Sequence, residues 1–141
     1  MERTNFDIAI DIAAKPDRVW QVITDVEHWP EWTPSVKSIR RLDKGPLVKG
    51  SRALVRQPKL PPAMWKVTEV NDRGFTWTSG LPGLWVIAHH SVEPAESGSR
   101  ATLSLRYTGL LAPLVARLTR SVNDPYLKLE AEGLKKRSET A

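Results

Sequence analysis

Two adjacent histidines, His89 and His90 in the segment AHHSVEP, and Tyr107 in LSLRYT are the residues most able to do chemistry in this chain. Neighbouring residues of a strand point to opposite faces, so only one of the two histidines can face the protein interior. His90 shares the period of Ala88 and Val92, which predicts that it points inward. An inward imidazole can orient a carbonyl or hydroxyl group, or transfer a proton near neutral pH. Tyr107 can donate a phenolic hydrogen bond to the same space. A purely structural histidine is the alternative for His90.

Other polar motifs are few. Asp25 and His28 fall in a predicted turn, where we expect Asp25 to cap backbone amides rather than act as a base. The chain has three histidines and no cysteine, and it lacks phosphate loops, dinucleotide-binding glycine patterns and nucleophile elbows. We therefore predict no metal site and no cofactor.

Composition narrows the class of protein. A chain of 141 residues suits a single domain over 1–141. The net charge of +5 comes from cations spread along the chain, which favours a solvated basic surface over a nucleic-acid partner. No window approaches the ~20 apolar residues of a membrane span, and the N-terminal segment lacks the pattern of a secretion signal. We predict a cytoplasmic location.

The first elements are an alternating strand and a short helix. Phe6, Ile8, Ile10 and Ile12 alternate with polar or small residues, which predicts a half-buried strand. Pro16 and Asp17 suit the first turn of a helix that ends near Asp25. The segment Val19–Trp32, VWQVITDVEHWPEW, then brings three tryptophans close together in the chain, with one further helical turn predicted around Glu31. This concentration of rings predicts an apolar chamber.

The middle of the chain alternates with period two between turn-rich segments. We predict six antiparallel strands there, at Val36–Leu42, Ser51–Gln57, Met64–Val70, Phe75–Ser79, Trp85–Val92 and Ala101–Thr108. After Gly109 the period changes to that of a helix, with an apolar stripe at Leu111, Val115, Leu118, Val122, Tyr126 and Leu129. We predict one long helix from Pro113 to Lys136, bent at Pro125 or divided there into two segments. Gly133 marks either a close backbone approach or a frayed helix end.

This order of elements resembles the START-like superfamily, also called SRPBCC or the polyketide cyclase/dehydrase group. The resemblance covers nearly the whole chain and rests on the following segments: AAKPDRVWQVITDVEHWPEW, Lys49-Gly50, WKVTEV, HSVEP, GSRATLSLRYTG and LEAEGLKKRSE. It implies an α+β helix-grip fold, in which a seven-stranded curved antiparallel sheet wraps around a long C-terminal helix and two short helices lie between strands 1 and 2. It also implies a cavity between sheet and helix for lipids, polyketides or other apolar molecules.

The alternation of apolar and polar residues independently predicts which side chains would line such a cavity. From the strands and the helix they are Val55, Val67, Phe75, Trp77, Ala88, His90, Leu103, Leu105, Tyr107, Leu118, Val122 and Tyr126. Plain core packing is the alternative for each of them. The segments Gln57–Met64 and Ser79–Trp85 combine proline or glycine with apolar residues, and they are either loops that gate the mouth of the cavity or ordinary hairpin connections.

The first functional hypothesis is therefore the binding of a small hydrophobic molecule, with no nucleic-acid partner. The second is an enzyme of the polyketide cyclase or aromatase kind, with His90 or Tyr107 transferring protons, although no catalytic signature marks the chain as one. The third is a protein- or membrane-interacting, chaperone-like member of the superfamily. Membrane contact would be peripheral, and the sequence leaves a homodimer open.

Overall fold

A computed structural model of the chain describes residues 4–140, which form seven strands, two α-helices and one 3₁₀ helix. In chain order they are β1 (Asn5–Ile12), α1 (Pro16–Thr24), the 3₁₀ helix (Val26–Glu31), β2 (Ser38–Arg41), β3 (Arg52–Arg56), β4 (Ala63–Val70), β5 (Gly74–Leu81), β6 (Leu84–Ala95), β7 (Gly98–Thr108) and α2 (Ala112–Glu139). The predicted α+β helix-grip architecture is confirmed. The predicted strands lie at their expected places, and β6 and β7 are longer than the alternation indicated.

The seven strands form one antiparallel sheet in the order β1-β7-β6-β5-β4-β3-β2. Each strand of β2 to β7 pairs with its sequence neighbour, and the closing step brings β1 against β7, with Phe6 opposite Leu105. A bulge between Val67 and Glu69 interrupts the β4–β5 ladder, and bulges increase the local bend of a sheet. The inner, concave face of this curved sheet carries the apolar residues of the core.

The first helical segment closes one end of the sheet. Pro16 and Asp17 begin α1 as predicted, and Val19, Val22 and Ile23 are buried. The 3₁₀ helix follows directly and buries Trp29, whose indole Nε1 donates to the carbonyl of Ile23 at 3.0 Å. This bond holds the Trp29 ring over the inner face of the sheet, because it satisfies the one polar atom of a buried indole.

The helix α2 runs without interruption through Pro125, so of the two alternatives the division into two segments is wrong, and the bend at Pro125 stays a prediction. Pro125 is exposed, and the 28-residue helix continues past it to Glu139. Near the C-terminal end, a Cβ added to Gly133 would collide with the backbone carbonyl of Trp32. Of the two alternatives for Gly133, the close backbone approach is the one observed. Glycine thus lets α2 pass directly against the turn that follows the 3₁₀ helix.

The face of α2 that meets the sheet differs from the predicted one. Small residues dominate it, and its buried positions are Ala112, Ala116, Asn123, Leu127, Ala131, Leu134 and Ser138. Leu118, which we predicted to face inward, is 70% exposed, so this prediction is wrong. Both stripes have helical spacing. The alanine stripe faces inward because small side chains let the helix axis come close to β1 and β7, against which α2 packs.

The segment Ser79–Trp85 is a tight hairpin rather than a loop. Leu81 of β5 pairs with Leu84 of β6, which leaves only Pro82 and Gly83 between the strands. This segment is therefore an ordinary hairpin connection in the structure, and its gating role stays a prediction. The segment Gln57–Met64 does contain a connection, between the end of β3 and the start of β4, and its gating role stays a prediction.

Candidate functional site

The inner face of the sheet aligns candidate residues from several strands in rows. One row joins Phe75, His90, Leu103 and Ile8 across β5, β6, β7 and β1, and the next joins Val67, Trp77, Ala88, Leu105 and Phe6. The third includes Val86 and Tyr107. Strand register alone therefore places His90 at the centre of an apolar surface. Its neighbour His89 points to the outer face, where its Nδ1 lies 2.6 Å from the hydroxyl of Thr76.

Aromatic rings surround His90. The imidazole stacks on Phe75 with ring centroids 4.5 Å apart and planes inclined by 15°, and its centroid lies 5.2 Å from that of Trp29. Trp77 stands edge-on to it at 6.1 Å. Further ring contacts extend the group, which we call the aromatic cluster: His90, Phe75, Trp20, Trp29, Trp32, Trp65 and Trp77. Five of the six tryptophans of the chain belong to it.

The aromatic cluster keeps His90 neutral. The side chain is only 6% exposed, and this burial, together with the neighbouring His89, lowers the pKa of His90 from 6.5 to about 3. Its Nδ1 is buried and has no hydrogen-bond partner among the described residues. A buried polar atom without a partner costs roughly 1–3 kcal/mol. A guest molecule with a matching polar group would recover that free energy.

Tyr107 connects the sheet to the helix. Its hydroxyl oxygen accepts a hydrogen bond from Asn123 Nδ2 at 3.0 Å and lies 3.1 Å from Thr119 Oγ1, while Asn123 Nδ2 also donates to Thr119 Oγ1 at 3.0 Å. The Tyr107 ring packs edge-on against Phe6. This triangle of polar groups lies between β7 and α2 and fixes the rotation of the helix about its axis, because the three groups satisfy one another only in this arrangement.

A second polar group faces the loops from α2. The carboxylate of Glu130 accepts a hydrogen bond of 3.5 Å from the hydroxyl of Ser35, which is fully buried and lies 2.7 Å from the hydroxyl of Thr33. Burial of the carboxyl group raises the pKa of Glu130 from 4.5 to about 7, and the bond from Ser35 offsets this in part. One turn earlier, the hydroxyl of Tyr126 donates to the carbonyl of Pro58 in the β3–β4 connection. These contacts join α2 to the loops beside the sheet.

The inner face is not fully closed. Leu105 lies on it in β7, between β1 and β6, yet it is only half-buried, and so is Val86 in β6. Val122 and Tyr126 on α2 are half-buried too. Solvent therefore reaches the space between the middle of the sheet and the helix. Two clefts of about 200 and 360 Å³ also occur, but neither is lined by the middle of this inner face. The smaller lies between α1, the turn that follows it and Arg137 of α2, and the larger lies between α1 and the ends of β2 and β4 with their loops.

The structure brings most of the predicted lining residues together. Nine of them come from the strands, and of these all but the half-buried Leu105 are buried: Val55, Val67, Phe75, Trp77, Ala88, His90, Leu103 and Tyr107. Val122 and Tyr126 lie at the border of the helix face, and Leu118 lies outside it. That these residues bind a ligand, rather than only pack as core, stays a prediction.

Asp25 does not have the predicted capping role. Its carboxylate pairs with His28 Nδ1 at 2.7 Å, and neither helix end beside it receives a side-chain cap. The hydrogen bond and charge of Asp25 raise the pKa of His28. Both side chains are more than half exposed, so this is a surface ion pair at the smaller of the two clefts.

Three polar residues of the helix face were missed by the sequence analysis: Thr119, Asn123 and Glu130. A signal existed, because these residues recur at steps of four and seven among Ala112, Ala116, Leu127 and Ala131. A helix face with small and polar residues has a weaker hydrophobic pattern than the leucine stripe beside it. The periodicity therefore favoured the leucines.

Comparison with known proteins agrees with this architecture. Residues 3–139 match the family model described as "Polyketide cyclase / dehydrase and lipid transport". No curated protein matches the chain by sequence. Among solved structures, the Zhui aromatase/cyclase from Streptomyces sp. R1128 superposes with a TM-score of 0.77 at 15% identity, covering 99% of this chain and 94% of that one.

Two further structures share the fold. The di-domain ARO/CYC StfQ from the steffimycin biosynthetic pathway has a TM-score of 0.78 at 14% identity, over 96% of this chain and 51% of that chain. Ara h 8.0201 has a TM-score of 0.73 at 15% identity, over 97% of this chain and 98% of that one. At these identities the likeness concerns the fold.

Proposed function

Because the chain belongs to the polyketide cyclase/dehydrase and lipid transport family, within the START-like helix-grip superfamily, we propose that it binds a small hydrophobic molecule between the inner face of the sheet and α2. The ligand is of the lipid, polyketide or other aromatic class and carries at least one polar group. The observation that carries this proposal is the buried, unpartnered Nδ1 of His90 inside the aromatic cluster. Apolar burial at ~25 cal/mol per Å² supplies affinity, and the polar contact sets orientation.

The lining supports an aromatic or fused-ring guest. The ring of Trp65 packs on Trp77 and is itself half-buried, so it offers an aromatic contact to a flat molecule at the border of the aromatic cluster. Half-buried Leu105 and Val86 form the accessible part of the inner face. The guest would reach them past α2 and the β3–β4 connection, where Tyr126 contacts Pro58. We include in this proposal that the segment Gln57–Met64 gates the entrance to the binding space.

Native mass spectrometry tests the proposal. The chain would be incubated with palmitic acid, cholesterol, 2-naphthol and the anthraquinone emodin, which sample the ligand classes. We expect a one-to-one complex with at least one compound. The variant Leu105→Trp fills the accessible space and should lose the complex, whereas Ser104→Trp, on the opposite face of the same strand, should keep it. Binding of no compound, or equal binding by Leu105→Trp, contradicts the proposal.

An enzyme of the aromatase/cyclase kind is the second candidate, with Glu130 as its proton-transfer group, because the Glu130 carboxylate contacts the buried hydroxyl of Ser35 where α2 meets the loops. A carboxyl group with a pKa of about 7 suits proton transfer near neutral pH, whereas a His90 pKa of about 3 makes the imidazole a weak base. His90 then orients the substrate, and Tyr107 remains a candidate donor. In the same incubation, recovery of a compound with a changed mass would show that the protein is an enzyme and does not only bind the compound.

A further inference from the structure

A patch of exposed apolar side chains lies at the end of the sheet away from the aromatic cluster. We call it the leucine end; its members are exposed by 43–90% and comprise Leu81, Trp85, Leu110, Leu111, Leu114 and Leu118. They include six of the nine large hydrophobic residues that are exposed in the described part of the chain. Single exposed leucines are ordinary in a protein surface, but a contiguous group indicates an interaction site.

Backbone contacts bring the members of the leucine end together. The amide of Leu111 donates to the carbonyl of Gly83 at 2.9 Å, and its side chain lies against Gly83 in the β5–β6 turn. Gly109 has a φ of 105°, and a Cβ there would collide with the same Gly83 carbonyl. Only glycine therefore lets the chain leave β7 and begin α2 so close to the hairpin. The turn of the hairpin and the first turns of α2 form one surface.

The segments that form the leucine end carry arginines and no carboxylates. Residues 97–123 contain no aspartate or glutamate, and residues 74–92 contain no aspartate, glutamate, lysine or arginine. Arg106 shares the outer face of the sheet with Trp85, because Trp85 pairs with Thr108 and Arg106 lies two residues away. Arg117 and Arg120 lie in the same first turns of α2 as Leu114 and Leu118. Apolar side chains are thus bordered by arginines.

We propose that the leucine end docks on the surface of an anionic lipid bilayer. Leucine and tryptophan side chains enter the boundary between headgroups and acyl chains, while arginines attract anionic headgroups. No helix in residues 4–140 is long and apolar enough to cross a bilayer, so the contact is peripheral. A symmetric dimer fits this surface less well, since a two-fold axis brings like patches together and would place the arginines of both copies in one interface.

Vesicle flotation tests the docking. The full chain would be mixed with vesicles of phosphatidylcholine alone or of phosphatidylcholine with phosphatidylglycerol. We expect binding to the anionic vesicles that weakens with added salt. The double variant Leu114→Ser with Leu118→Ser should lower the affinity at least tenfold, and Arg106→Gln with Arg120→Gln should lower it and reduce the salt dependence.

Control variants separate docking from folding and from ligand binding. Leu42→Ser with Val48→Ser removes exposed apolar residues that follow the edge strand β2, outside the leucine end, and should leave vesicle binding unchanged. Leu105→Trp should also float normally, since docking does not depend on the inner face. Circular dichroism would verify that each variant is folded. Equal flotation of the Leu114/Leu118 variant, or self-association of the wild type through these leucines with no vesicle binding, overturns the proposal.

Discussion

Large apolar side chains are buried at one end of the central strands β5 and β6 and exposed at the other. Near the start of β5, five tryptophans, Phe75 and His90 form the aromatic cluster, and the helices of residues 16–31 cover them. At the hairpin between β5 and β6, the sixth tryptophan, Trp85, is exposed beside five exposed leucines. Composition is therefore not what separates the two regions. The covering helices separate them, because only the end near the start of β5 has helices that pack over its side chains and remove them from water.

The difference indicates that the two ends have different tasks. At the covered end, burial stabilises the fold and sets the electrostatic state of His90. At the exposed end, apolar area of the same kind contributes little to folding and remains available for binding another surface. If this division is correct, equivalent substitutions at the two ends must have unequal effects on stability.

Replacing a tryptophan at each end gives the largest expected contrast. Trp77→Ala removes a buried ring that contacts Trp29, Trp65 and Phe75, and should lower the free energy of unfolding by about 3–5 kcal/mol. Trp85→Ala removes an exposed ring that rests on Gly80, and should cost less than about 1 kcal/mol. Chemical denaturation with urea measures both. Similar losses in the two variants would show that the ends do not differ as described.

The pH dependence of stability gives the next contrast, between the two faces of β6. The pKa of His90 is lowered from 6.5 to about 3 in the folded chain, so its contribution to stability is present above pH 6.5 and is lost as the pH falls toward 3. Between pH 7.5 and pH 5 this loss amounts to about 2 kcal/mol. His90→Phe keeps an aromatic ring and should abolish this part of the acid sensitivity.

His89→Phe is the matched control, since it replaces the neighbouring imidazole on the outer face. Denaturation curves at pH 5 and 7.5 for wild type and both variants measure the difference. A His90→Phe variant that loses as much stability on acidification as the wild type would mean that His90 is protonated in the folded chain, contrary to its surroundings.

The smallest effect is expected at the leucine end itself. Leu118→Ala should change the free energy of unfolding by no more than about 0.5 kcal/mol, because 70% of the side chain is exposed and alanine is a good helix former. The thermal midpoint of unfolding measures it. A loss of several kcal/mol would place Leu118 in the core, as the sequence pattern predicted, and would remove the basis for the leucine end.

The strands could be predicted because alternation is a local property. The residues from Ala101 to Thr108 alternate between apolar and polar side chains, and β7 occupies this segment with a short extension at its start. The inward direction of His90 followed from the same period of two. The helix was harder: its position was predicted, but two stripes with helical spacing competed, and the more hydrophobic one was chosen although it faces outward. The sequence does not show which of the two stripes packs against the sheet.

The sequence by itself determined the order of the elements, the antiparallel sheet, the long C-terminal helix and the face of β6 that carries His90, because each depends on residues close together in the chain. Tertiary structure decided the rotation of α2, the gathering of five tryptophans into one aromatic cluster with a neutral imidazole, and the contact of Glu130 with Ser35. These depend on how closely distant segments approach. The missing side chain at Gly133 and the small side chains of the alanine face allow α2 to approach its neighbours closely. With this face turned inward, the leucine stripe faces solvent.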